Sequence, residues 1–101
     1  MALKGIVIDA GHGGADPGAI GNGYQEKNIN SMMADYMFNR FNEFGIPVKY
    51  VRSTDETLSP KDRTREILEA YGNDPDVLVI SNHINAGGAE GQSVTNIKYN
   101  N

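Results

Sequence analysis

Only two histidines occur in this sequence, His12 and His83, and each stands just after an apolar run, in "IVIDAGHGG" and "LVISNHINAGG". Imidazole can hydrogen-bond, shuttle a proton or bind a metal. A single histidine in a glycine loop is most often a solvated or hydrogen-bonding residue. Two that each leave a core-type run are harder to read that way. Joined by one carboxylate, they make the His₂Glu set of catalytic zinc sites, which keep a fourth position for water. The carboxylate placed to join them is Glu26, which opens an apolar-periodic segment at the end of "GHGGADPGAIGNGYQEKN". The competing reading of Glu26 is a charge that complements a helix N-terminus.

That 18-residue stretch holds seven glycines or prolines. Glycine is costly to order, so the density needs a reason. One candidate is a phosphate cradle, the other a loop that gathers metal ligands. Asp16 stands where the third glycine of a G-x-G-x-x-G fingerprint belongs, and its charge would repel a pyrophosphate. Pro17 and further loop residues separate the glycines from any helix start, and no Walker sequence is present. The metal reading is favoured. With no cysteine in the chain, a metal has only histidine and carboxylate ligands available.

The elements that must position these residues form an alternating series. "KGIVID", residues 4–9, reads as a first strand, followed by a polar loop to about Gln25. From Glu26 the residues Ile29, Met33, Tyr36, Met37, Phe41 and Phe44 recur at helical spacing, and the methionines and phenylalanines read as core. Gly45 and Pro47 end that helix. "IPVKYVR" reads as a second strand. Ser59 as N-cap, Pro60 at the first helical position and Asp62 in the first turn start a second helix with a Thr64, Ile67, Leu68, Tyr71 stripe, stopped by Gly72. "DVLVIS", residues 76–81, reads as a strand buried on both faces, whereas "QSVTNIKYNN" only loosely suggests one. The order predicts an α/β three-layer sandwich with a largely parallel sheet. Ligands of such sheets collect beyond the carboxyl ends of the strands, where both histidines fall.

Composition sets the surroundings. At 101 residues the chain is expected to be one domain, residues 1–101, burying roughly 65% of its unfolded surface. Hydrophobic content of 39% and charged content of 22% suit a globular chain. A net charge of −4 offers no field for nucleic acid or an anionic membrane. No run approaches the roughly 20 apolar residues of a membrane span, and the start lacks a signal-peptide pattern. The expectation is cytoplasmic synthesis.

With the motifs assembled, "IVIDAGHGGADPGAIGNGYQEKN", "VRSTDETLSPKDR" and "LVISNHINAGG" together resemble zinc-dependent N-acetylmuramoyl-L-alanine amidases of the Amidase_3 type, over residues 5–91. The resemblance implies zinc ligands at His12, Glu26 and His83. It implies hydrolysis of the amide between the lactyl group of muramic acid and L-alanine of the stem peptide, with peptidoglycan as substrate. Asp9 and Asn85, beside the ligands, would orient them or the substrate, or else finish a strand and a turn. Arg63 falls on the family's arginine and reads as a structural salt bridge.

The family also carries a catalytic glutamate late in a longer domain. No glutamate of this sequence matches it, and Glu90, on the stretch after His83, is not assigned the role. The sheet is therefore expected to be incomplete relative to the family. The expected behaviour is zinc binding with weak or absent amidase activity, and a tendency to homodimerise through uncovered apolar surface or an open sheet edge. The setting expected is a phage endolysin segment or a mother-cell lytic enzyme acting on the bacterial wall. Two other readings stay open: a truncated, non-catalytic zinc-binding module serving as an interaction partner, and a metal-free α/β ligand-binding domain.

Overall fold

The computed structural model describes the backbone of residues 3–84 and 93–99 and the side chains of residues 3–84. Its elements are β1 (Gly5–Ala10), β2 (Ile20–Gly21), β3 (Tyr24–Gln25), α1 (Glu26–Glu43), β4 (Val48–Tyr50), α2 (Pro60–Tyr71), β5 (Val77–Ile84) and β6 (Ser93–Tyr99). The main sheet has the order β4-β1-β5-β6. β1 pairs in parallel with β4 and β5, and β6 runs antiparallel to β5. β2 and β3 form a two-stranded ribbon leading into α1.

Alternation along β1 divides the core into two layers. Ile6, Ile8 and Ala10 point to one face, where Ala34, Met37, Phe38 and Phe41 of α1 cover them. Val7 points to the other, where it meets Val51, Val77 and the α2 residues Ile67, Ala70 and Tyr71. All six residues of β1 are buried, which fits a central parallel strand covered by helices on both sides. This is the three-layer α/β sandwich expected from the element order. The chain leaves β1 toward β4 on one side, whereas the strand that follows β5 lies on the other. The carboxyl ends of β1 and β5 thus flank a switch point, the usual crevice for ligands in open α/β sheets.

Local signals account for the helix ends. Ser59 Oγ accepts the Asp62 N–H at 3.0 Å while Asp62 accepts the Ser59 N–H at 3.4 Å, a reciprocal capping box with Pro60 behind it. α1 ends at Glu43 with Phe44 as its C-cap, and Gly45 follows with φ 74°.

Several expectations are corrected. β5 runs to Ile84 rather than ending at 81, so His83 lies inside the strand and not on a loop after it. The segment 93–99 is a full strand, carried by seven pairings with β5. Met32 of α1 and Phe44 at its C-cap are exposed rather than core, and Tyr36 and Leu68, expected on the apolar stripes of α1 and α2, are exposed as well. The inward stripe of α1 begins instead with Glu26, Asn30 and Ala34, all buried. Polar residues occupy the first two turns of that stripe because they face the end of the sheet, so hydrophobic periodicity alone misplaces the helix face. Among the described residues, no helix is long and apolar enough to cross a membrane.

Candidate metal centre

The register of β1 and β5 puts the two histidines side by side. Ala10 pairs with Asn82, and the Gly11 N–H continues the ladder to the Asn82 carbonyl at 3.0 Å. His83 follows Asn82 and His12 follows Gly11, so both imidazoles stand at the same sheet edge, with ring centroids 5.2 Å apart and planes at 87°. Gly11 has to be glycine on packing grounds, because a Cβ there would overlap the His83 ring. Gly18 is a second such position: its φ is 69°, and a Cβ would lie 2.6 Å from His12 Cδ2 and 2.9 Å from Glu26 Oε1.

Glu26, at the first turn of α1, completes the cluster. Its Oε2 lies 3.3 Å from His12 Nε2 and 3.5 Å from His83 Nδ1. One ligand atom from each of the three residues falls within 4.8 Å of the others. The carboxylate is only 5% exposed. It accepts the N–H of Ala19 at 3.0 Å through Oε1, and the N–H of Ile84 at 2.8 Å and the Asn30 amide at 3.3 Å through Oε2. Burial is the largest influence on its pKa and pushes it up. The hydrogen bonds from Ala19, Ile84 and Asn30, with the charge of His12, outweigh burial and hold the carboxyl below its ordinary value. A buried anion facing two imidazoles is a donor set suited to a divalent cation of zinc type.

The backbone that carries His12 is clamped from both sides. Arg63 of α2 donates to the Ala10 carbonyl at 2.8 Å, to the His12 carbonyl, and to Asp9 at 2.6 Å. Arg52, fully buried, donates to Gly11 O at 3.1 Å, Lys27 O at 3.2 Å, Thr54 O at 3.0 Å and Ser31 Oγ at 2.7 Å. Asn30 also reaches Gly11 O, and Asn82 reaches Asn30 O. The strap after β4 holds the glycine loop: Asp55 accepts the Gly14 N–H at 2.7 Å and Thr57 the Ala15 N–H at 2.9 Å. Lys27 bridges Asp55 and the Gly14 carbonyl, both at 2.9 Å. His12 itself has φ 64°, a left-handed conformation these contacts maintain. Its Nδ1 lies 2.8 Å from Asp16 Oδ2.

Of the sequence-derived site residues, His12, Glu26 and His83 come together. Asp9 does not touch an imidazole. It lies on the α2 face, where it binds Arg63 and Ser81, and it reaches the His12 loop through Arg63. Arg63 makes the salt bridge expected of it. Asn85 and Glu90 lie outside the described residues. Sequence reading missed Asn30, Arg52, Lys27 and Asn82. For Asn30 a usable signal existed, since it follows Glu26 at i+4 and so shares its helix face.

The fold is an α/β sandwich, and His12, Glu26 and His83 form a cluster at its sheet edge that could hold a metal ion; comparison with known proteins gives the family. Over 91% of this chain and half of the other, the structure superposes on the catalytic domain of CwlV, an N-acetylmuramoyl-L-alanine amidase from Bacillus (Paenibacillus) polymyxa, with a TM-score of 0.73 and 30% identity. Cwp6 from Clostridium difficile gives a TM-score of 0.76 and 33% identity over 89% of this chain and 14% of its own. The family model described as N-acetylmuramoyl-L-alanine amidase (Amidase_3) matches residues 6–100, and the chain belongs to that family. It is 40% identical over 88 residues to the sporulation-specific N-acetylmuramoyl-L-alanine amidase of Bacillus subtilis, covering 85% of this chain and 33% of that protein. It is likewise 40% identical over 84 residues to the B. subtilis protein YqiI, covering 83% and 39%. The chain thus spans about a third to two fifths of these curated relatives.

Proposed function

We propose that residues 1–101 form one unit carrying the metal centre of an N-acetylmuramoyl-L-alanine amidase, with His12, Glu26 and His83 as zinc ligands and bacterial peptidoglycan as substrate. The observation that carries the proposal is the convergence of two imidazoles and one buried carboxylate within 4.8 Å at the switch point of the sheet. Three protein ligands of this type leave room for water, the pattern of catalytic rather than structural zinc. A zinc ion held there would supply a Lewis acid that brings the pKa of bound water to roughly 7 and polarises the scissile carbonyl.

The residues of the chain do the rest of the positioning. Glu26 is fixed by the Ala19 and Ile84 amides, so its carboxylate faces the imidazoles without having to reorganise. Beside it, Ala19, Ile20, Asn22, Tyr24, Ile29 and Ile84 line a hollow of about 170 Å³. This gives a mixed polar and apolar wall against which a peptide-bearing substrate can lie. Hydrolysis also needs a group that takes a proton from water and returns it to the leaving amine. The proposal assigns that role to no described residue.

Metal analysis after exhaustive dialysis against zinc tests the centre, and release of soluble stem peptide from purified peptidoglycan tests the chemistry. About one zinc per chain, lost in His12→Ala and His83→Ala, is expected. Absence of bound metal in the wild type, or retention in both variants, refutes the ligand set. Zinc uptake without peptide release favours the non-catalytic zinc module instead.

A further inference from the structure

We infer that Asp16 is a positioning residue for His12: it holds the proton on Nδ1 and so presents Nε2, as a lone pair, to the centre. The inference deepens the zinc reading above. His12 has two distinct ring nitrogens, and the structure gives each its own partner. Nδ1 lies 2.8 Å from Asp16 Oδ2, and Nε2 lies 3.3 Å from Glu26 Oε2. Both partners are carboxylates, which only accept hydrogen bonds. The 2.8 Å contact to Asp16 is of hydrogen-bond length whereas the 3.3 Å contact to Glu26 is long, so the single hydrogen of the neutral ring goes to Nδ1. In the neutral ring Nε2 is then unprotonated, which is the form a metal ligand needs.

Asp16 is itself held in place. Gly13 and Asp16 exchange two backbone hydrogen bonds, at 2.8 and 3.0 Å, and Asp16 Oδ1 accepts the Gly18 N–H at 3.1 Å. Gly18 in turn packs against His12 and Glu26 so closely that no Cβ fits. One tight turn therefore fixes the carboxylate, the imidazole edge it addresses, and the approach of the loop to Glu26. The Asp16 side chain remains 62% exposed, which places the expected effect at the lower end of the 10- to 100-fold range usual for partners of metal-bound histidine.

The test reads the tautomer and the zinc affinity separately, in the full chain. Nitrogen-15 shifts of the His12 ring in metal-free protein are expected to show Nδ1 protonated and Nε2 bare. In Asp16→Ala that preference is lost, and zinc affinity, measured by competition with a chromophoric chelator, falls roughly 10-fold. Asp16→Asn keeps an acceptor oxygen and is expected to retain the tautomer with a smaller loss. An Nε2-protonated His12 in the wild type overturns the inference, as does an unchanged tautomer with affinity within twofold in both variants. Should Asp16→Ala not fold, the wild-type shifts and Asp16→Asn decide. Should the wild type bind no zinc, the ligand reading fails while the His12 tautomer still decides the role of Asp16.

Discussion

The Glu26 carboxylate accepts the backbone N–H of Ile84 at 2.8 Å, a bond that ties the first turn of α1 to the end of β5 across 58 residues of sequence. The same side chain also holds the Ala19 amide. Glu26 is therefore a structural tie between helix, loop and sheet as well as a candidate ligand.

Removing that tie should be visible without any metal. Glu26→Ala leaves two backbone amides, and one bond of the Asn30 side-chain amide, short of an acceptor, at about 1–3 kcal/mol for each donor that stays buried and unpaired. Urea unfolding in excess chelator is expected to show a loss of that order. A metal-free stability within about 0.5 kcal/mol of the wild type would mean the carboxylate does not hold the fold together.

The Arg63–Asp9 pair should behave as a coupled unit. Both side chains are largely buried, and Arg63 alone serves the Ala10 and His12 carbonyls. Arg63→Met strands the Asp9 charge and should cost about 3–5 kcal/mol. In a double-mutant cycle with Asp9→Asn, a coupling above about 1 kcal/mol is expected. Simple additivity would show that the pair contributes no interaction of its own.

Gly11→Ala probes the close approach to His83. Its φ lies outside the left-handed region, so the penalty is steric: the new methyl meets the imidazole. A cost of about 1–3 kcal/mol with weakened zinc uptake is expected. Gly21→Ala is the control, because a Cβ there meets nothing within 4 Å. Equal behaviour of the two variants would rule out the packing argument.

Alkaline stability should depend on Tyr50. Its hydroxyl donates to Asp35 at 2.6 Å, and its ring stacks on Phe38 at 4.4 Å. Burial first, and then Asp35, push the phenol well above its ordinary value near 10. A raised pKa means that the contribution is complete below the unfolded value and is lost as pH rises above it. Between pH 9 and about 11 the wild type should lose more stability than Tyr50→Phe, read from urea midpoints. Parallel curves would dismiss Tyr50 as the source.

By itself, the sequence determined the local grammar of this protein. Alternating strand and helix runs, the Ser59-Pro60-Asp62 helix start and the Gly45 stop are short-range signals, and they set the α/β class without reference to distant contacts. The chemistry of the donors was legible too, because two histidines and no cysteine leave few ways to build a centre.

Which partners meet was decided by the tertiary structure. The pairing of Ala10 with Asn82 is a long-range register, and it alone sets His12 beside His83. The extension of β5 through His83 depends on neighbours on both sides, β1 and β6, which no local pattern specifies. The inward face of α1 was hidden because Glu26 and Asn30 are polar. Their burial is offset by hydrogen bonds to Ala19, Ile84 and Gly11, and those acceptors and donors are in place only once the sheet edge has formed.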